Sequence, residues 1–256
     1  MPTLPVSPIE LATALGLVVI GSIIQGSIGF GLAAVVAPIL LLVNKIFLPG
    51  PMLVTSMLLT SLIAWRDREH ADWSEVGVGT TGRIIGMIPA AFALRFLSGP
   101  GYELLFAVAV LAGVFISMSG WHVRLTLRNL FFTAIGSGFV STVSAVGGPP
   151  MALVYQNELA SKIRGTLNAI FTIGTPISLI GLWWAGQRPN AAVRFGVPEL
   201  TLGFLMMPAV FVGFLLSRYT AARLNDRHTR PAILALAAAT ALVVIIRSVR
   251  ALTGSI

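Results

Sequence analysis

Cysteine is absent from this chain of 256 residues. Its absence excludes disulfides, thiolate nucleophiles and cysteine-ligated metal sites, and says nothing of redox compartment. Charge is scarce: Asp, Glu, Lys and Arg together are 10% of the residues, against roughly 25% in soluble globular proteins. A soluble fold of this length buries a good core but still needs a charged skin, and the chain has too little charge to make one. Carboxylates are missing from the places where a membrane enzyme or a cation-coupled carrier would keep them. Glu10, Glu103, Glu158 and Glu199 all stand near the ends of apolar runs, and His70, His122 and His228 fall between runs. The pattern therefore offers no His–carboxylate metal site, no paired-carboxylate centre and no nucleophile triad. Neither a metal nor another cofactor is expected, and an enzyme embedded in the membrane is disfavoured.

What the chain has instead is apolar surface, at 56% of residues. Residues 4–43 carry one formal charge, Glu10, and residues 233–246 carry none. A bilayer-crossing helix needs about 20 mostly apolar residues. Ten apolar segments can be read, at 9–28, 30–44, 50–65, 76–97, 102–120, 129–145, 148–158, 162–185, 198–218 and 230–249. The segments 30–44 and 148–158 are too short to cross ~30 Å of hydrocarbon untilted. No basic n-region precedes the first run, the first cation being Lys45, so a cleaved leader is not expected. The net charge of +8 is not the mark of a nucleic-acid binder, because the cations sit between apolar runs with no basic face or interleaved aromatics. It fits the positive-inside bias of short loops.

The chain repeats itself weakly. Met87-Ile88-Pro89-Ala90-Ala91-Phe92 matches Met206-Met207-Pro208-Ala209-Val210-Phe211, 119 positions on, and Gly29-Phe30-Gly31 matches Val146-Gly147-Gly148, 117 positions on. Two halves follow, 1–122 and 123–256. If each glycine break is the tip of a hairpin, the halves are inverted. Arg66, Arg68, Arg124, Arg128, Lys162, Arg164 and the arginines of 218–230 then share one side. That side holds more cations than the one with Lys45, Arg95, Arg188, Arg194, Arg247 and Arg250. Treating each break as part of one crossing helix divides the cations evenly. The hairpin reading fits the positive-inside rule better and predicts both termini outside the cytoplasm.

Chemistry is expected at the breaks. Gly26-Ser27-Ile28-Gly29-Phe30-Gly31, with Pro38 downstream, and Ser144-Ala145-Val146-Gly147-Gly148-Pro149-Pro150 both combine residues that interrupt a helix. Broken backbone at membrane depth is tolerated where it is buried in protein or lines a wet cavity. The free N–H groups of a new helix start suit an anion. Each motif taken alone reads more simply as a packing or kink position; their recurrence in both halves favours a site. Arg164, Thr166 and Asn168 open the segment after the second break. Arg164 reads equally as an oxyanion clamp and as an interfacial anchor. Gln25, Ser27, Ser144 and Gln156 lie close to the breaks, and helix-to-helix hydrogen bonding is the commoner role for such groups. Arg83, between Gly82 and Gly86, is expected to snorkel to the interface, with the glycines as helix-packing positions.

At Gly29-Phe30-Gly31 with Pro38, at Val146-Gly147-Gly148-Pro149-Pro150 and at Arg164-Gly165-Thr166 the chain resembles the TauE/SafE family of sulfite and organosulfonate exporters. The likeness in segment count, duplication and length extends over nearly the whole chain, although the first break lacks the longer glycine run of many members. The resemblance implies an all-α polytopic membrane protein made of two repeats, each a glycine-broken hairpin followed by three transmembrane helices. It implies outward transport of a small anion such as sulfite or sulfoacetate across a bacterial inner membrane, with the bilayer and a small anionic solute as partners. Nucleic acid is not a partner, and a homo-oligomer stays open. The expected substrate site is Gln25, Ser27, Gly29, Phe30, Gly31, Ser144, Gly147, Gly148, Pro149, Pro150, Arg164, Thr166 and Asn168. A passive anion channel using the same motifs is the alternative.

Overall fold

The computed structural model describes residues 6–97, 99–118, 123–189, 191–220 and 226–253. Among them are ten α-helices and no strand. They are α1 (Pro8–Ile28), α2 (Leu32–Val43), α3 (Gly50–Arg66), α4 (Trp73–Phe96), α5 (Gly99–Met118), α6 (Leu127–Ser144), α7 (Gly148–Val154), α8 (Ala160–Ala185), α9 (Val197–Thr220) and α10 (Asp226–Thr253).

Each apolar segment is a helix; α7 stops at Val154, short of the expected 158, and polar residues extend α4 and α10. The Asp72 carboxylate accepts from the N–H groups of Ser74 and Glu75 and starts α4 at Trp73, ahead of the apolar stretch. α10 takes in Asp226 to Arg230, so His228 lies in a helix rather than between helices. His122 and Arg223 lie outside the described residues, as does the expected boundary between the halves on its first side. α1, α4, α5, α8 and α9 are long and apolar enough to cross a membrane. α2 has 12 residues and α7 has 7. At 1.5 Å per residue these reach about 18 and about 11 Å, well short of a span.

The outside of the bundle is apolar. Ile9, Phe115, Phe132, Ile180, Val197 and Phe204 are exposed, which in a bilayer places them against lipid. Trp65 and Trp73 are exposed at the α3–α4 end, and Trp183 near the end of α8, as interfacial aromatics are. Arg68 lies 4.6 Å over the Trp65 ring and Arg95 4.3 Å over that of Trp184.

Inside, helices approach closely through glycine. A Cβ on Gly82 would lie 2.6 Å from the carbonyl oxygen of Phe131, and one on Gly86 would meet that of Ile135, so α4 and α6 touch main chain to main chain. Gly213 brings α9 onto α1 in the same way, a Cβ there falling 2.6 Å from the Val19 carbonyl oxygen. The pairings form a pattern. α1 packs on α9 as α6 packs on α4, α3 on α9 as α8 on α4, and α2 on α10 as α7 on α5, while α3 meets α8 and α5 meets α10. Exchanging α1–α5 for α6–α10 in order maps this set of pairings onto itself.

Candidate functional site

Both glycine-rich breaks are turns at which the chain doubles back. α1 ends at Gly29, whose φ of 108° is left-handed, and Gly31, with φ 130°, opens α2. Side chains avoid both conformations. Gly21 of α1 then lies against Leu32 and Val36, so α2 folds back along α1.

The last carbonyls of α1 are covered by donors. Arg66 Nη2 donates to Gly26 O at 2.8 Å, Arg164 Nη1 to Ser27 O at 3.4 Å and Asn168 Nδ2 to Gly29 O at 2.9 Å. Cations are favourable at a helix C-terminus. Asp67 pairs with both arginines, accepting from Arg66 Nε at 2.9 Å and Arg164 Nε at 3.2 Å. Gln25 bridges the turn: its Nε2 donates to Asn168 Oδ1 at 3.1 Å and its Oε1 accepts from Leu32 N at 3.1 Å.

The second turn is built differently. α6 ends at Ala145, a non-glycine residue held left-handed at φ 63°. Ser144 Oγ accepts from Val146 N at 3.2 Å, and Ser137 Oγ donates to Gly147 O at 2.7 Å. α7 opens with Gly148-Pro149-Pro150. The capping geometry pairs Gly29 with Ala145 and Gly31 with Gly147. The sequence match pairs Gly29 with Val146, one position off, because it aligns glycine with glycine while the second turn reaches its left-handed corner with alanine.

The turns touch. Phe30 lies across Gly148, where an added Cβ would fall 3.1 Å from the Phe30 Cβ. Beside this contact is a cavity of about 40 Å³. A water needs roughly 10–15 Å³ on this measure, so the space suits a solute of a few heavy atoms. Of the expected site residues, Gln25, Phe30, Gly31, Gly147 and Gly148 line it. Ala33 and Ala34 from the first turn of α2 also line it. The first N–H groups of a helix have no partner within it, and Gly31 supplies no side-chain cap. α7 adds less, since Pro149 and Pro150 have no N–H.

The remaining expected residues support the turns from outside the cavity. Gly29 and Ser144 shape them, and Pro149 rests on Gly113 of α5 beside Pro150. Ser27 faces α9, its Oγ 3.4 Å from Ser217 O and 3.2 Å from Thr220 Oγ1. Arg164 is committed to Asp67, Thr166 Oγ1 accepts from Asp72 N at 3.0 Å, and Asn168 holds the first turn. Gln156, between α7 and α8, is not among the lining residues.

Sequence reasoning missed Arg83. It does not snorkel: it is 4% exposed and lines the cavity. α4 begins at Trp73 and has 24 residues, so Arg83 stands about 15 Å along the helix, near its middle. Nη1 donates to Ser137 Oγ and Nη2 to Ser141 Oγ, each at 2.9 Å, and the guanidinium lies 4.7 Å over the Phe171 ring. The signal was present in the spacing. Arg83 falls four residues after Gly79 and three before Gly86, on the small-residue face of α4, and that face packs inward. The hydroxyls of Ser56, Thr60, Ser141 and Thr175 complete the polar lining.

Long apolar helices, an apolar exterior and an interior cavity between two broken helices define a polytopic all-α membrane protein. The chain matches the family described as sulfite exporter TauE/SafE over residues 13–244, nearly its full length, and belongs to that family. It is a multi-pass membrane transporter of the sulfite-exporter type. No match was found among curated proteins or among solved structures.

Proposed function

We propose that this chain is a secondary transporter that exports a small oxyanion, sulfite or a related organosulfonate, across the bacterial inner membrane. The observation that carries the reading is the meeting of the two turns, Phe30 upon Gly148, around a small polar-lined cavity. Unwound chain between broken helices is where transporters bind their solutes.

The exchange symmetry of the helix pairings supports two inverted repeats, 1–122 and 123–256, with alternating access around the site between them. With both termini outside, the α3–α4 connection with Arg68 and the start of α8 with Lys162 and Arg164 face the cytoplasm. An inside-negative potential drives an anion outward at about 2.3 kcal/mol per charge per 100 mV. Export then requires no buried coupling carboxylate.

The test is uptake of labelled sulfite and sulfonates into inside-out vesicles. Saturable flux, stimulated by substrate on the opposite side and lost in Gly148→Leu, is expected. Flux that does not saturate and is not stimulated from the opposite side would make the protein a channel. Absence of flux for every anion would end the transport reading.

A further inference from the structure

The strongest unassigned feature is the charge on Arg83. A buried charge at mid-membrane is costly unless it is paired or faces a polar cavity. None of the ion pairs among the described residues includes Arg83. The elements packed on it bring hydroxyls, a ring and main chain. Ser137 and Ser141 come from α6, Phe171 and Gly174 from α8, and Gly147 from the second turn.

Arg83 is also the one charged residue among those lining the cavity. A guanidinium has five N–H donors. Two are taken by the serines, and Nε, fully buried, has no partner. The pocket therefore holds one uncompensated positive charge, with donor capacity left over.

We infer that Arg83 is the charge-bearing anchor for the transported solute, and that the site selects singly charged oxyanions over doubly charged ones. This rests on the transport reading above and deepens it. An anion with one charge neutralises the guanidinium and leaves the closed site with no net charge. A dianion leaves one negative charge buried with only neutral hydroxyl, amide and main-chain groups around it, which low-dielectric interiors penalise. Hydrogen sulfite and simple alkanesulfonates fit this rule. The sulfite dianion, sulfate and doubly ionised sulfoacetate do not. Each transport cycle then moves one negative charge.

The test uses purified wild-type protein in liposomes, with equal pH on both sides and a clamped potential. Methanesulfonate is a monoanion throughout the neutral range, whereas sulfite passes from monoanion to dianion within it. Methanesulfonate flux is expected to stay flat from mildly acidic to mildly alkaline buffer. Sulfite flux is expected to fall with the hydrogen sulfite fraction. Sulfate and sulfoacetate are expected to compete weakly with either.

Arg83→Gln is expected to lower both fluxes about 30-fold or more, as losing one partner of a buried charged hydrogen bond does. Arg83→Lys, which keeps the charge, is expected to recover part of the flux. Sulfite flux that rises with the dianion overturns the inference, as does normal transport by Arg83→Gln. Both results leave the transporter itself in place. If no anion moves through folded wild-type protein, the underlying reading falls and this one with it. The wild-type pH contrast needs no variant, so a folding defect in Arg83→Gln does not shield the inference.

Discussion

At the turn after α1, Arg66 and Arg164 cover the last helix carbonyls, and the Asp67 carboxylate sits between them. At the turn after α6, Arg83 is bound to two serine hydroxyls and is paired with no carboxylate among the described residues. Both turns place arginine near broken backbone, but only the first pairs it with a carboxylate. A cation whose charge is taken up by an anion and by main-chain carbonyls is a brace. A cation left uncompensated beside a cavity attracts a mobile counter-charge. The difference separates two arginines that look alike in sequence, where Arg164 carried the motif and Arg83 did not.

The comparison is broken most directly by exchanging outcomes. Arg83→Gln is expected to keep its thermal unfolding midpoint within a few degrees while losing about 30-fold or more in anion flux. Arg164→Gln is expected to do the reverse, losing stability while keeping most of its flux per folded molecule. Unfolding in detergent and flux in liposomes, measured on both variants, decide between these patterns.

Next in size is the contact between the turns. Gly148→Leu drives a side chain into Phe30, and overpacking of this kind costs about 1–3 kcal/mol. Loss of saturable flux with the protein still folded is the expected result.

Asn168→Ala strips a donor from Gly29 O and a partner from Gln25. Unsatisfied buried groups cost about 1–3 kcal/mol, so a lower unfolding midpoint is expected, with no comparable loss from Ser144→Ala, whose bonds are local to the second turn. The smallest effect is a gain. Ala145 sits left-handed at φ 63°, a conformation that costs a residue with a Cβ roughly 1–2 kcal/mol. Ala145→Gly is expected to stabilise by about 1 kcal/mol or less, because glycine gives part of that back as chain entropy. Gly29→Ala is expected to do the opposite at the first turn.

Much of the fold was legible in the sequence, because hydropathy and helix length are local properties. Each of the ten apolar segments is a helix, and the two short ones, α2 and α7, are too short to span. Helix ends were less legible: Asp72 lengthens α4 through a cap that carries no hydrophobic signal. The site was legible by half. Glycine and proline mark where backbone breaks, and Phe30, Gly31, Gly147 and Gly148 do line the cavity. Which polar groups point inward depends on helix partners that sequence does not name. Asp67, which occupies Arg164, lies in a loop about a hundred positions away. Arg83 was misread because its depth was measured from the apolar stretch rather than from the capped helix start.

One further feature bears on how the molecule moves. Where Gly82 and Gly86 press on the main chain of α6, and Gly138 presses back on the main chain at Arg83, there is no side-chain layer to shear. Such a seam is expected not to slide, and α4 and α6 are expected to travel as a single rigid piece. That piece carries the guanidinium and, through Ser137, the carbonyl of Gly147. The seat for the cargo is therefore expected to hold its shape through the cycle. Opening to either face falls to the partners around it, above all to the α3–α8 seam, where Thr172 Oγ1 and Thr60 Oγ1 meet at 3.2 Å. A crosslink there is expected to arrest turnover, whereas one between α4 and α6 should go unnoticed.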